Sequence, residues 1–185
     1  MTLDEIRMEI DQIDSQMKPL FLKRMEWARQ VAQAKAVTGG DVFVGEREQA
    51  IIRKRAGDVE EVHEEYAAFL RHLMSVSRRF QYGILTDMQD QVIREALEQA
   101  GLDGTREHSQ VTVAFTCGKE SGGLNLYLNM VSLNRIPLEQ LRMDSQGGVQ
   151  KVTMVLGGSL EHPDLRRLVC QMGKEAEGFR IVSLE

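Results

Sequence analysis

The chain has 185 residues, of which 42% are hydrophobic and 28% charged, and this composition excludes a wholly disordered protein. Its 23 basic and 28 acidic residues give a formal net charge of −5, which argues against broad binding to nucleic acid or to anionic membranes. No apolar stretch is long enough to span a membrane, and the acidic start lacks the pattern of a signal peptide. Because Cys117 and Cys170 show no metal or redox spacing, we expect a reduced, cytoplasmic protein.

The first predicted element is a long helix over residues 3–38. Thr2 and Glu5 form a capping-box pattern at its start, and Gly39 follows its end. Pro19 lies inside the helix, where we expect a bend. The apolar residues recur mostly at intervals of one helical face: Ile6, Ile10, Ile13, Met17, Leu20, Trp27 and Val31. A helix of about 36 residues is roughly 54 Å long.

Two further helices are predicted in the first half of the chain. The second begins near Gly45 and ends near Ala56, and the third begins near Val59. The pattern of the third extends to Ala100, with Gly83 as the candidate point of interruption. Helices of such unequal length leave apolar faces beyond the reach of their partners, and burying one Leu or Ile contributes roughly 1.5–3 kcal/mol. The lengths therefore predict an intertwined homodimer.

Beyond about residue 105 the hydrophobic period changes to that of strands. The predicted elements are a strand over 111–116, a helix over 124–133, strands over 138–143 and 149–156, a helix from 163 and a strand over 179–184. This β-α-β-β-α-β order is that of the ferredoxin-like arrangement. We therefore predict an α+β chain with an all-α three-helix domain over residues 1–100 and a βαββαβ domain over residues 109–185.

Cations on the first helix are spaced to bind a small anion. Arg24 and Lys35 are eleven residues apart, so they project within about 20° of each other at an axial separation of about 16 Å. Their long side chains leave room between them for one small anionic ligand. Arg7 lies 17 residues before Arg24, about 25 Å along the axis, and could reach only a site on a partner chain. Any one of these residues alone is more typical of a solvated helix surface.

The order and spacing of polar residues through all three helices resemble those of the all-helical (AroQ-class) chorismate mutases. The resemblance extends from residue 3 to about residue 90, and the matching residues are Arg7, Arg24, Lys35, Arg47, Glu48, Ser77 and Gln81. It implies an intertwined dimer of three-helix chains that rearranges chorismate to prephenate without a cofactor.

Four of these residues would hold the substrate, a small dicarboxylate. Arg24 and Arg47, with Arg7 from the partner chain, match the cations that bind its two carboxylates in the family. Ser77 matches the residue near the ring carboxylate. Bidentate pairs between guanidinium and carboxylate groups are suited to fixing the substrate in one orientation.

The other three residues would act on the reacting part of the substrate. Lys35 and Gln81 match the cation and the amide donor at the ether oxygen of the breaking bond, and Glu48 matches the acid that binds the ring hydroxyl. A pericyclic rearrangement needs only a confined conformer and stabilisation of charge on this oxygen. The chain departs from some members of the family at Val44, where they carry Asp, and at Gly45.

Two other functions remain open from the sequence. Helical relatives that cleave isochorismate to pyruvate and salicylate share this fold, so that reaction is the alternative among enzymes. A chain that retains the mutase fold without catalysis, as a ligand sensor or a partner-binding module, is the alternative among non-enzymes. Loss of Lys35 or Gln81 would have favoured the second alternative, and both residues are present.

The C-terminal half resembles an ACT regulatory domain over about 75 residues. The likeness rests on the order of elements and on the Gly122-Gly123-Leu124 run at the start of a predicted helix. It implies that paired domains bind an amino-acid effector at their interface, where glycine allows the backbone to approach the ligand and helix amides meet its carboxylate. An ordinary glycine-rich turn is the alternative, and the sequence does not identify the effector.

Overall fold

The computed structural model describes residues 1–118 and 123–185. Its elements are α1 (Leu3–Thr38), α2 (Gly45–Ala56), α3 (His63–Ile84), α4 (Thr86–Ala100), β1 (Gln110–Gly118), α5 (Gly123–Leu133), β2 (Leu138–Gln146), β3 (Val149–Gly157), α6 (Pro163–Glu175) and β4 (Glu177–Leu184). The predicted α+β class is confirmed, with a helical region followed by a βαββαβ region. Among the described residues, no helix is both long and apolar enough to cross a membrane.

Helix α1 is one continuous helix of 36 residues that passes through Pro19. The predicted capping box is present at its start, where the Thr2 hydroxyl accepts from the Glu5 amide at 3.3 Å and the Glu5 carboxylate accepts from the Thr2 amide at 2.6 Å. Gly39, with φ of +72°, ends the helix in the left-handed conformation that glycine adopts without strain. The first 23 residues of the chain are exposed throughout, so this part of α1 extends beyond the rest of the molecule.

The structure corrects the prediction of one long third helix. Helix α3 begins at His63 rather than near Val59, and the chain leaves the helical conformation at Leu85, which has φ of −88° and ψ of 67°. The interruption therefore lies two residues beyond Gly83. The buried Leu85 side chain packs between the helices, and the side chain of Gln89 donates to the carbonyl of Tyr82 at 2.7 Å. This contact satisfies a carbonyl at the end of α3 and stabilises the break.

The four strands form an antiparallel sheet in the order β2-β3-β1-β4. In the register of this sheet, Val113 of β1 lies opposite Met154 of β3 and Ile181 of β4, and all three side chains are buried. They belong to the main core, which also includes residues of α5 and α6. This strand order is the ferredoxin-like arrangement that the sequence predicts.

Helix α4 packs with the C-terminal half. Its Ile93 and Ala96 are buried in the same core as the sheet, and Val92 contacts a second cluster that joins α1, α3 and α6. That second cluster consists of Ala32, Val42, Tyr82, Leu85 and Cys170. The helical region and the sheet region thus share buried apolar contacts, and the domain limits of 1–100 and 109–185 stay a prediction.

Cys170 lies at the junction between the two regions. It is fully buried on α6, and burial raises the pKa of its thiol to about 12. Burial also raises the pKa of the Cys117 thiol.

Because the thiolate is the reactive form, both cysteines should react slowly with an aromatic disulfide reagent at pH 8 in the native chain and rapidly in denaturant. Absorbance of the released thiol, measured on Cys117→Ser and Cys170→Ser variants, separates the two rates. A Cys170 that reacts in the native chain as fast as a free thiol would contradict the packing of α6 on α3.

Candidate active site

A cavity of about 310 Å³ lies between α1, α2 and α3. This volume is within the range of small-molecule sites. Six of the seven residues that the resemblance singles out line it: Arg24, Lys35, Arg47, Glu48, Ser77 and Gln81. A larger cavity of about 580 Å³ lies between α1, α4, α6 and β4, but Lys35 is the one residue of that set among its lining residues. The smaller cavity is therefore the candidate site.

The segment that connects α1 to α2 folds back over the end of α1 and holds Lys35. The Lys35 ammonium donates to the carbonyls of Asp41 at 2.6 Å and Val42 at 3.3 Å. An ammonium group has three protons to donate, so a further donor remains for a ligand. Burial lowers the pKa of Lys35, and the neighbouring charge of Arg47 lowers it further.

The guanidinium of Arg24 is only partly compensated by the protein. Its Nη1 atom is buried and has no hydrogen-bond partner among residues 1–118 and 123–185. Burial lowers the pKa of Arg24, and the charge of Arg55, another residue that lines the cavity, acts in the same direction. A buried donor without a partner is costly, and an anionic ligand is the chemical group that would satisfy it.

Helix α3 contributes two polar residues one helical turn apart. Ser77 and Gln81 are both buried, with exposed fractions of 6% and 7%. The Gln81 amide nitrogen makes only a long hydrogen bond of 3.4 Å to the carbonyl of Ser77, and its Oε1 atom has no partner within the described part of the chain. The amide is therefore available to a ligand in the cavity.

Arg7 lies away from this cavity. Its side chain is exposed and pairs with Asp4 at 3.3 Å near the start of α1. With 17 residues of helix between Arg7 and Arg24, the two are about 25 Å apart along the axis. A single chain does not bring Arg7 to the site.

Arg78 is a functional candidate that the sequence analysis missed. It lies directly after Ser77, lines the cavity and donates through Nη1 to Glu48. Its guanidinium also stacks over the Phe43 ring, 4.9 Å from the ring centre. Its place next to Ser77 was the available signal, but its partners lie in other elements and cannot be identified from sequence.

The comparison with protein families agrees with this geometry. Residues 6–82 match the family model described as chorismate mutase type II. Helices α1, α2 and α3 form a chorismate mutase type II domain. Such a domain is an isomerase, and it implies the rearrangement of chorismate to prephenate in aromatic amino-acid biosynthesis. No curated protein and no solved structure matches the chain.

The matched segment of this mutase domain begins before Arg7 and ends after Gln81. It includes all seven residues that the resemblance singles out, whereas the C-terminal half lies outside it. Between residues 1 and 118 and from 123 onwards, no cluster of His, Cys, Asp and Glu is suited to hold a metal ion.

Of the three residues predicted to bind an effector, the two that the structure describes make contacts within the fold. Gly122 lies outside the described residues. Gly123 begins α5, and a Cβ atom there would meet the carbonyl of Gly118 at 2.8 Å, so glycine is needed for close approach of α5 to β1. Leu124 packs against the main core. Effector binding at these residues stays a prediction.

Proposed function

We propose that the mutase domain rearranges chorismate to prephenate without a cofactor, in the cavity between α1, α2 and α3. The observation that carries this proposal is the convergence of Arg24, Lys35 and Arg47 with Glu48 and Gln81 in one small cavity. These cations come from two helices and would repel one another in a partly buried site. A ligand with two carboxylates offsets that repulsion.

In this proposal Arg24 and Arg47 bind the substrate carboxylates. The free Nη1 atom of Arg24 supplies a donor that is already desolvated, which strengthens its pairing with an anion. Ser77, which lines the same cavity from α3, would lie near the ring carboxylate. These contacts hold the substrate in the compact conformer in which the bond-forming carbons meet, and such positioning can supply several kcal/mol of the barrier reduction.

Lys35 and Gln81 act on the ether oxygen. During the rearrangement the carbon–oxygen bond of the ether breaks while a new carbon–carbon bond forms, and negative charge develops on the oxygen. The remaining Lys35 proton and the Gln81 amide stabilise this charge, and Glu48 accepts from the ring hydroxyl. No proton has to leave the substrate, so the site needs no general base.

The homodimer is part of the proposal, and the exposed face of α1 supports it. Ile6, Ile10, Ile13 and Met17 lie on one helical face and are 41–57% exposed. The cavity wall is also open, because Trp27 lines it with 66% of its surface exposed. A second chain packed on α1 would cover both surfaces and could bring its Arg7 to the site.

The first test concerns Lys35. Removal of its side chain in Lys35→Ala deletes a donor to the developing oxyanion, and the expected loss of kcat is on the order of 10²- to 10³-fold or more. The assay follows chorismate consumption without cofactor and identifies the product, which separates prephenate from the pyruvate and salicylate of an isochorismate lyase. Wild-type turnover in the purified, folded variant would exclude this role for Lys35.

The pH dependence of the reaction provides a second test of the same residue. Lys35 must be protonated to stabilise the oxyanion, and burial lowers its pKa in the free enzyme, so kcat/KM should fall with rising pH below the usual range of lysine. In Lys35→Arg the cation stays charged at higher pH. The alkaline limb of the kcat/KM profile should therefore move upward in this variant or vanish. An identical limb in both proteins would assign the titration to another group.

Mixed dimers test whether Arg7 acts across the interface. Arg7→Ala and Lys35→Ala chains should each be inactive alone. A hybrid of the two has one site with neither lesion, so mixing should restore part of the activity. The measurement compares activity before and after subunit exchange, with hybrid formation verified by mass spectrometry. Hybrids that form and stay inactive would argue against a shared site.

We also propose that the C-terminal half senses an amino-acid effector through paired domains. Strand β2 is at the edge of the sheet, and its Leu141 and Met143 are 42% and 44% exposed although they lie opposite the buried Met154 and Val152. Continuation of the sheet by a second copy would cover these side chains. The βαββαβ order and this open edge support the proposal.

Titration tests the effector. Calorimetry with Phe, Tyr and Trp should show binding of at least one of them to the full chain, and that ligand should change the apparent affinity for chorismate by about 5- to 150-fold. The reciprocal measurement, effector affinity with and without a substrate analogue, should change by the same factor. If none of the three binds and the kinetics do not respond, the C-terminal half is not an aromatic amino-acid sensor.

A further inference from the structure

A buried ionic network connects the C-terminal half of the chain to the candidate active site. Its centre is Arg78 on α3, which is 3% exposed. The Arg78 guanidinium contacts two carboxylates from opposite sides. Its Nε and Nη2 atoms donate to Glu175 of α6 at 2.7 and 2.9 Å, and its Nη1 atom donates to Glu48 of α2.

The contacts with Glu175 fix the direction of the guanidinium. Two parallel hydrogen bonds to the two oxygens of one carboxylate define the plane of the group, since both groups are planar. The Phe43 ring lies against this plane, 4.9 Å from the guanidinium carbon. With Nε and Nη2 occupied, Nη1 is the atom directed to Glu48. The place of the Glu48 carboxylate thus depends on a residue of α6.

Glu175 is itself held on all sides. Its side chain has no exposed surface, and Gln171 of the same helix donates to Oε1 at 3.2 Å. The backbone carbonyl of Glu175 accepts a hydrogen bond from the Tyr127 hydroxyl of α5 at 3.4 Å. The carboxylate is therefore a fixed part of the C-terminal region rather than a mobile surface group.

The two acids of the network stabilise the charged form of Arg78. Burial alone would lower the pKa of Arg78, but the charges and hydrogen bonds of Glu175 and Glu48 outweigh burial and raise it. Burial raises the pKa of Glu175, and the charge and hydrogen bonds of Arg78 oppose this effect. Glu175 takes two of the hydrogen bonds, so Glu48 keeps lone pairs that can accept from a substrate hydroxyl.

We infer that Glu175 is a positioning residue for the mutase reaction, which acts on Glu48 through Arg78. The inference rests on the proposed function, in which Glu48 binds the ring hydroxyl of the substrate. Glu175 lies beyond the matched mutase segment of residues 6–82, so the C-terminal half completes the support of a site that the mutase segment alone does not complete.

Removal of the Glu175 charge should change the position of the Glu48 carboxylate, although Glu175 itself does not contact the substrate. In Glu175→Gln the charge of Arg78 is balanced by Glu48 alone, which draws the Glu48 carboxylate closer to Arg78 and weakens it as an acceptor for the substrate. Small misplacements of positioning groups reduce rates by up to about 10²-fold, and we expect kcat/KM for chorismate to fall about tenfold. Glu177→Gln, an equal change of charge at an exposed residue two positions later, is the matched control and should match the wild type.

A double-mutant cycle separates positioning from a general loss of structure. If Glu175 acts through Glu48, the effect of Glu175→Gln on kcat/KM should disappear in a Glu48→Gln background. A merely structural role would reduce kcat/KM by the same factor in both backgrounds. Wild-type kinetics in Glu175→Gln, or an equal loss in both backgrounds, would overturn the inference.

The same four proteins test the network without reference to activity. Because Glu48 and Glu175 share one guanidinium, their substitutions should have non-additive effects on the free energy of unfolding in urea, and additive effects would overturn the inference. Absence of chorismate conversion by the wild type would refute the proposed function, whereas this cycle would still decide whether the network couples the two acids. If Glu175→Gln does not fold, Glu175→Asp replaces it in both cycles; its shorter side chain withdraws the carboxylate from Arg78, so coupling with Glu48 in the same direction is expected.

Discussion

The concentration of positive charge in one partly buried cavity is the constraint on which the rest of this structure depends. Arg24, Lys35 and Arg47 face the same small volume, and burial disfavours the charged form of each of the first two. Water cannot fully compensate them there, so protein groups must. Backbone carbonyls hold Lys35, Glu48 supplies a negative charge, and Arg24 keeps an unsatisfied donor.

Such an arrangement is a poor way to stabilise a fold, since desolvation of buried charges offsets much of their attraction. It is a good way to bind a dianion, because Arg24 and Lys35 are already partly desolvated before the substrate arrives. The unsatisfied donor of Arg24 and the weakly bonded amide of Gln81 follow this logic. Preorganisation of charge, rather than an acid, a base or a nucleophile, is what a pericyclic rearrangement requires.

The break at Leu85 determines how the two regions meet. The chain leaves the helical conformation at Leu85, and α4, which follows, buries Ile93 and Ala96 in the sheet core. The break also leaves the end of α3 in contact with α6, where Cys170 and Glu175 are buried. Apolar packing and the Arg78 network thus cross the same junction. Among the described residues, the first 23, which include the first half of α1, are exposed throughout and make no comparable contact.

Features that depend on near neighbours could be derived from the sequence alone. The capping box at Thr2 and Glu5, the glycine that ends α1 and the βαββαβ order all follow from local propensity and periodicity. The spacing of Arg24 and Lys35 could be converted to one helical face because helix geometry is regular.

Features that depend on distant residues could not be derived from the sequence. One of the two acidic partners of Arg78 lies 97 positions away on α6, and the helix break falls at Leu85 because its side chain is buried against other elements. The sequence determined which residues could form the site, and the tertiary structure decided which element holds them in place, because ion pairs and burial are set by distances in space rather than along the chain.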